Sequence, residues 1–190
     1  VNYNDYLDES SLFSERFNVS WSPEQLFANK VNDPSYYFLR KYEKEHGFNL
    51  MLDVACGYAT LSYHLKNKDK IIGVDISQDI LDRITHIKTQ GCDAHKLPFG
   101  YSTFDLVLID GSMEFFIRPI LVLQECYRVM TDDGMLYITN IRDNMGFGLG
   151  ANISWTLSAF EGILSMCGFD FIRYIGFDER HMSYICRRRK

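Results

Sequence analysis

The chain has 190 residues, 46% of them hydrophobic and 24% charged, which suits one globular domain with a real core and excludes a disordered or low-complexity chain. A formal net charge of −5 weighs against an obligate nucleic-acid binder, and the lone basic cluster, RRRK at 187–190, reads as the solvated end of an edge strand. Cys56, Cys92, Cys126, Cys167 and Cys186 are scattered without CxxC spacing, which suits reduced thiols in the cytoplasm and provides no zinc framework.

Neither a signal peptide nor a membrane span is expected. The N-terminus is acidic and aromatic, and the uncharged stretch 144–160 is interrupted by Gly, Asn, Ser and Thr. Two short helices are predicted first. SPEQLFANK has Ser22 as cap and Pro23 at the first helical position; DPSYYFLRKYEKEHG repeats the device with Asp33 and Pro34, and Gly47 is a natural stop. Strands and helices then alternate. A strand at 50–55 leads to a helix through about Lys66; a strand at 70–75 leads to a helix that starts after Ser77 and runs to about Lys88. A short strand at 89–92 and a strand at 104–109 precede a helix at 117–130. DDG turns the chain into a strand at 134–139, and an irregular Gly/Asn stretch leads to a helix at 153–167. FDFIRYIGF and HMSYICRRR close the chain; too few residues separate them for a crossover, so they form an antiparallel hairpin. The pattern predicts an α/β fold with a mainly parallel sheet and helices on both faces.

LMLDVACGYAT at 50–60 is the richest stretch. An apolar run ends in Asp53, and a turn follows in which the small residues Ala55, Gly57 and Ala59 alternate with Cys56 and Tyr58. A second apolar run, IIGVD, ends in Asp75. Small residues let the backbone approach a ligand, and an acid about 20 residues on accepts hydrogen bonds from ribose hydroxyls. These residues predict a nucleoside cofactor at the carboxyl ends of the strands.

With GVDIS at 73–77, CDAHKLPF at 92–99, FDLVLID at 104–110 and ECYRVMTDDGMLYIT at 125–139, the chain resembles the class I S-adenosylmethionine-dependent methyltransferases of the type 11-like group. The resemblance covers about residues 48–140. It implies a Rossmann-like doubly wound sheet of seven strands ending in an antiparallel hairpin. The implied organisation is an N-terminal helical cap, residues 1–48, and a cofactor-binding core, residues 49–190. S-adenosyl-L-methionine is the implied cofactor and S-adenosyl-L-homocysteine its product. The family turn often reads GxGxG, and here its outer positions are the alanines 55 and 59. A dinucleotide enzyme would want G-x-G-x-x-G, but position 60 is Thr. Asp53 would also oppose an anionic pyrophosphate, whereas it favours a cationic sulfonium or ammonium group.

By the same resemblance Ala55, Cys56 and Gly57 line the methionine end of the cofactor, with Asp53 near its amino group or capping the next helix. Asp75 accepts the ribose hydroxyls, Ile76 packs on adenine, Asp93 meets the adenine amino group, and Ala94 offers backbone contacts. His95 touches the cofactor or faces solvent. Cys56 reads as a wall rather than a nucleophile, since no base pairs with it. Asp110 is the candidate catalytic residue, a carboxylate at the rim where methyl group and acceptor meet that can bind substrate, act as a base or ligate a metal, with Glu114 nearby. Asn140 and Asp143 align poorly with a metal-assisted pattern, so no metal is expected. Glu125, Arg128 and Gly134 read as structural, as does His181. The implied partner is a small-molecule acceptor, with no nucleic acid and no membrane; Tyr3, Tyr6, Phe13, Phe17, Trp21, Met145 and Phe147 are candidates for a lid over it. The rival expectation is a catalytically silent cofactor-binding or scaffold protein that keeps the fold.

Overall fold

The computed structural model describes residues 34–142, 153, 155–175 and 181–190. The expected helix SPEQLFANK, all seven lid candidates, Asp143 and the turn of the last hairpin lie outside them. Helix α1, Pro34–Glu45, starts on its proline and ends at Gly47, whose φ of 68° lets its N–H return to the carbonyls of Tyr42 and Glu43 at 3.3 and 3.1 Å.

Among the described residues a seven-stranded sheet has the order β3-β2-β1-β4-β5-β7-β6. Its strands are β1 (Met51–Val54), β2 (Ile71–Asp75), β3 (Lys88–Gly91), β4 (Phe104–Asp110), β5 (Met130–Arg142), β6 (Phe169–Ile175) and β7 (His181–Arg188). The first five pair in parallel, while β7 runs antiparallel to both β5 and β6. The expected terminal hairpin is therefore present. The helices are α1, α2 (Gln78–Leu81), α3 (Pro119–Val129) and α4 (Leu157–Met166). The mainly parallel α/β sheet predicted from the alternating pattern, and the doubly wound order of seven strands implied by the resemblance, are the ones observed.

Helices on both faces explain why all of β1 is buried. Leu52, Val54, Val107 and Ile109 pack on one side with Val122, Leu123 and Cys126 of α3 and Phe160 and Leu164 of α4. Met51, Leu106, Leu108 and Tyr137 pack on the other with Tyr36 and Leu39 of α1.

Four expectations need correction. The helix predicted after the first strand is replaced by turns and a single 3-10 turn at Ser62–His64. Ala55, Gly57 and Ala59 all have φ near +50°, which keeps the chain out of the right-handed helical region until Thr60. The Glu43 carboxylate then takes the N–H groups of Lys66 and Asn67 at 2.9 and 2.8 Å and ends the segment. Helix α2 stops at Leu81, well before Lys88. The residues beyond include the β-branched Ile84, Thr85 and Ile87, which resist helix, and His86 is drawn to the Ala59 carbonyl. The DDG turn does not break the strand. The β4–β5 register jumps from Phe104↔Met130 to Leu106↔Met135, so the extra residues bulge out inside β5. Lastly, β7 lies inside the sheet, not at its edge. Arg188 in its basic end is held by Asp132 and the Tyr127 carbonyl and sits 4.5 Å over the Tyr127 ring.

Candidate active site

The strand order reverses between β1 and β4, and their carboxyl ends open the crevice where ligands bind in such sheets. Five segments meet there: the turn after β1, the ends of β2 and β3, the end of β4, and Thr139 of β5.

The turn is tightly wired. Cys56 N–H donates to the Val74 carbonyl at 2.9 Å, and Ala59 N–H to the Cys56 carbonyl at 2.7 Å. The Ala59 carbonyl accepts from Tyr63 N–H at 3.0 Å and from His86 Nε2 at 3.2 Å. Two alanines are thus held in a conformation that disfavours a side chain by roughly 1–2 kcal/mol each, and this hydrogen-bond frame retains them. Gly57 has φ 51°, and a Cβ there would meet nothing within 4 Å. Its face is open toward a ligand.

Asp75 ties the turn to β2. One carboxylate oxygen accepts Gly57 N–H and the other Ser77 N–H, each at 2.9 Å. Burial raises its pKa, while the backbone N–H bonds oppose the rise by favouring the charged form. Next to it Ile76 is 38% exposed, an apolar surface at the crevice. Asp53 points elsewhere. It is 2% exposed on the α1 side of the sheet and accepts the Ser62 hydroxyl at 2.6 Å. Ser62 is a partner that the sequence reading missed.

Beyond β3, Cys92 N–H donates to the Asp75 carbonyl at 3.0 Å, which brings Asp93 to the same edge. Asp93 Oδ1 accepts His95 N–H at 2.8 Å and His95 Nδ1–H at 2.6 Å. His95 thus neither faces solvent nor stands alone. Ala94 is buried against the apolar core. The following Leu97–Phe99 backbone is clamped by α3: Leu97 N–H donates to Glu125, and Arg128 donates to the Leu97 and Phe99 carbonyls. The Glu125–Arg128 ion pair (2.7 Å) was expected as structural; here it also shapes the loop that carries Asp93.

At the end of β4, Asp110 is half-buried and accepts the Thr139 hydroxyl. Gly111, with φ 58°, turns the chain, and the Ser112 hydroxyl bridges the carbonyls of Ala55 at 3.2 Å and Asp110 at 2.9 Å. Ser112 joins the two sides of the crevice, and nothing in its sequence context marked it. Gly73 is another residue overlooked. A Cβ on it would lie 2.9 Å from Cys56 Sγ, and a glycine inside a strand is the signal of such an approach. The Cys56 thiol is pushed well up by burial and by the carboxylates of Asp53 and Asp75, which keeps it protonated and a poor nucleophile. Cys92 is raised to about 11, chiefly by burial. Among the described residues no group of His, Cys, Asp and Glu could hold a metal ion, and no helix is long and apolar enough to cross a membrane.

An open glycine at a backbone turn, a carboxylate at the end of β2 and an exposed isoleucine beside it combine close backbone approach, an acceptor and an apolar surface, a set that fits a cationic nucleoside. A methyltransferase-domain family model matches residues 52–138, from β1 into β5. The chain is 33% identical over 102 residues to the zebrafish (Danio rerio) protein named arginine-hydroxylase NDUFAF5, mitochondrial, covering 50% of this chain and 32% of that one. It therefore spans about a third of the length of that curated relative. An Aquifex aeolicus S-adenosylmethionine-dependent methyltransferase superposes with a TM-score of 0.61 at 18% identity, covering 87% of this chain and 98% of the other. The [4+2]-cyclase SpnF superposes with a TM-score of 0.64 at 20% identity, covering 72% and 57%. These two structures share the fold. The motif order, the sheet and the family match together show that residues 52–138 are similar to a methyltransferase domain, on a fold shared with S-adenosylmethionine-dependent methyltransferases.

Proposed function

We propose that this chain transfers a methyl group from S-adenosylmethionine to a small-molecule acceptor. The observation that carries the reading is the bond from Gly57 N–H to the Asp75 carboxylate across the crevice, because it joins the small-residue turn to the acid beside it. In this reading Asp75 accepts the ribose hydroxyls, Ile76 packs on adenine, and Asp93 with Ala94 meets the adenine edge. Ala55, Cys56 and Gly57 line the methionine end, with Asp53 behind the turn. The carboxylates at Asp75, Asp93 and Asp110 favour a cationic cofactor over an anionic dinucleotide.

When bound, the cofactor supplies an electrophilic methyl group on a positively charged sulfur, with a neutral leaving group. The protein has to align the acceptor and exclude water, and alignment alone contributes about 7–11 kcal/mol in favourable cases. Asp110 stands at the acceptor rim, where it orients the acceptor or takes its proton. The chain divides into a cap, residues 1–48, and a core, residues 49–190, and works in a reducing compartment, read as the cytoplasm. The mitochondrial name of the curated relative makes cell fractionation the deciding observation.

One observation favours a second reaction in the same crevice: the curated relative is named as an arginine hydroxylase. A product heavier by one methylene rather than by one oxygen atom, read by mass spectrometry over a panel of metabolites and arginine peptides, separates the two. Calorimetry with S-adenosylmethionine and S-adenosylhomocysteine tests the cofactor, and no binding at millimolar ligand overturns the proposal. Asp75→Ala is expected to weaken binding at least about tenfold; an unchanged Kd refutes the role given to Asp75.

A further inference from the structure

We infer that His95 is a positioning residue, which sets the direction of the Asp93 carboxylate and ties the adenine end of the site to the start of α3. The inference rests on the reading of Asp93 as the adenine contact. His95 is an unexpected residue to find here, because its ring is only 11% exposed and both its nitrogens are used. Nε2 accepts the backbone N–H of Arg118 at 3.3 Å, and Nδ1 lies 2.6 Å from Asp93 Oδ1. A carboxylate only accepts, so Nδ1 carries the proton and the ring is the neutral Nδ1–H tautomer.

The ring is therefore a strut with one donor end and one acceptor end. The donor end meets the same oxygen that already takes His95 N–H, so Oδ1 is fixed from two directions and the plane of the carboxylate with it. The acceptor end is fastened to Arg118, the residue that caps α3. The Phe116 ring packs against the imidazole edge-to-face, with centroids 6.0 Å apart and planes at 83°. An adenine amino group needs an acceptor held at one angle. A carboxylate free to rotate would accept an amino group and a water equally well. The strut thus acts on base selectivity, through Asp93, without touching the base.

Two substitutions divide the strut. The amide nitrogen of asparagine occupies the place of imidazole Nδ1, so His95→Asn keeps the donor to Asp93 and loses the link to Arg118. The amide of glutamine reaches the place of Nε2, so His95→Gln keeps the α3 end and releases Asp93. The measurement is the ratio of the Kd values of S-inosylhomocysteine and S-adenosylhomocysteine, read calorimetrically on the full chain, with the melting temperature of each variant beside it. The inosyl ligand carries an oxo group where adenine has its amino group. The wild type is expected to prefer the adenosyl ligand. His95→Asn keeps that preference, and His95→Gln and His95→Ala lose about tenfold of it, the size of one charge-assisted hydrogen bond. Equal preference in all variants, with only the melting temperature lowered, overturns the inference and leaves the proposed function standing. Loss in His95→Asn as large as in His95→Gln also overturns it, because the effect then runs through α3 or direct contact. A wild type that binds neither ligand removes the proposed function and this inference together; one that binds both equally removes the role of Asp93 and with it the inference.

Discussion

Ala55 and Ala59 occupy the outer positions of the turn where the related motif often has glycine, and both adopt left-handed φ, at 51° and 52°. The alternation A-x-G-x-A was readable from the residues, and it marked the three positions where the backbone bends back on itself. What could not be read was how the alanines are kept there. The answer is tertiary: Val74, Tyr63, His86 and Ser112 supply the hydrogen bonds, from four different segments. The close approach of Gly73 to Cys56 gives a test at this scale. Gly73→Ala places a methyl group 2.9 Å from Cys56 Sγ and the same distance from Ile87 Cδ1. It is expected to destabilise by about 1–3 kcal/mol by overpacking and to weaken cofactor binding, because Cys56 can retreat only by moving the turn. Adding Cys56→Ala should recover part of both losses, read by urea denaturation and calorimetry in a double-mutant cycle. Strictly additive losses would show that the turn does not feel β2.

At the scale of elements, each strand that was expected is present, with ends shifted by a residue or two, except that β5 begins four residues early and runs on to Arg142. The central strands β1 and β4 announced themselves because they are buried on both faces and read as mainly apolar runs, whereas β3, KTQG, is polar and largely exposed. Helices were less legible. Their pattern depends on which side of a segment is covered; after β1 the backbone is instead drawn to Glu43, and after α2 the His86 side chain is drawn to the Ala59 carbonyl. Helix α3 has a duty beyond packing, since its Glu125–Arg128 pair holds the Leu97–Phe99 backbone. The Arg128 guanidinium holds the Glu125 carboxyl below its ordinary range, with Leu97 N–H assisting. A carboxyl whose folded pKa is depressed contributes stability above its unfolded pKa, and that contribution is lost as pH falls through the folded value. Glu125→Gln is therefore expected to lower stability at neutral pH by about 1–3 kcal/mol. The gap from wild type should narrow as pH falls below the ordinary glutamate range and close only through the depressed folded value, where Glu125 itself becomes neutral. A gap independent of pH in chemical denaturation would mean that the charge of Glu125 is not what holds the loop.

For the whole molecule, the crevice is made of segments far apart in the chain, so a ligand there should stabilise the fold as a unit. At a ligand concentration 100 times Kd, binding adds about 2.7 kcal/mol. In a chain of this size that raises Tm by roughly 5–10 °C. Scanning calorimetry with S-adenosylhomocysteine should show this shift in the wild type and lose most of it in Asp75→Ala. An equal shift in both would place the ligand away from β2.

The amino-acid sequence by itself determined the α/β alternation, the closing hairpin and the acids at the strand ends, because burial on two faces and the small-residue turn leave local marks. It also located Asp75, Asp93 and Asp110 at strand ends, since each follows an apolar run or a short strand. Only the tertiary structure decided what those acids touch. It turned Asp53 to the far side of the sheet toward Ser62, bound Asp75 to Gly57 and Ser77, and set His95 between Asp93 and α3. The reason is physical. Which way a side chain leaves a strand follows from its local alternation, but the partner it meets depends on segments brought together by the sheet order, and no local pattern carries that.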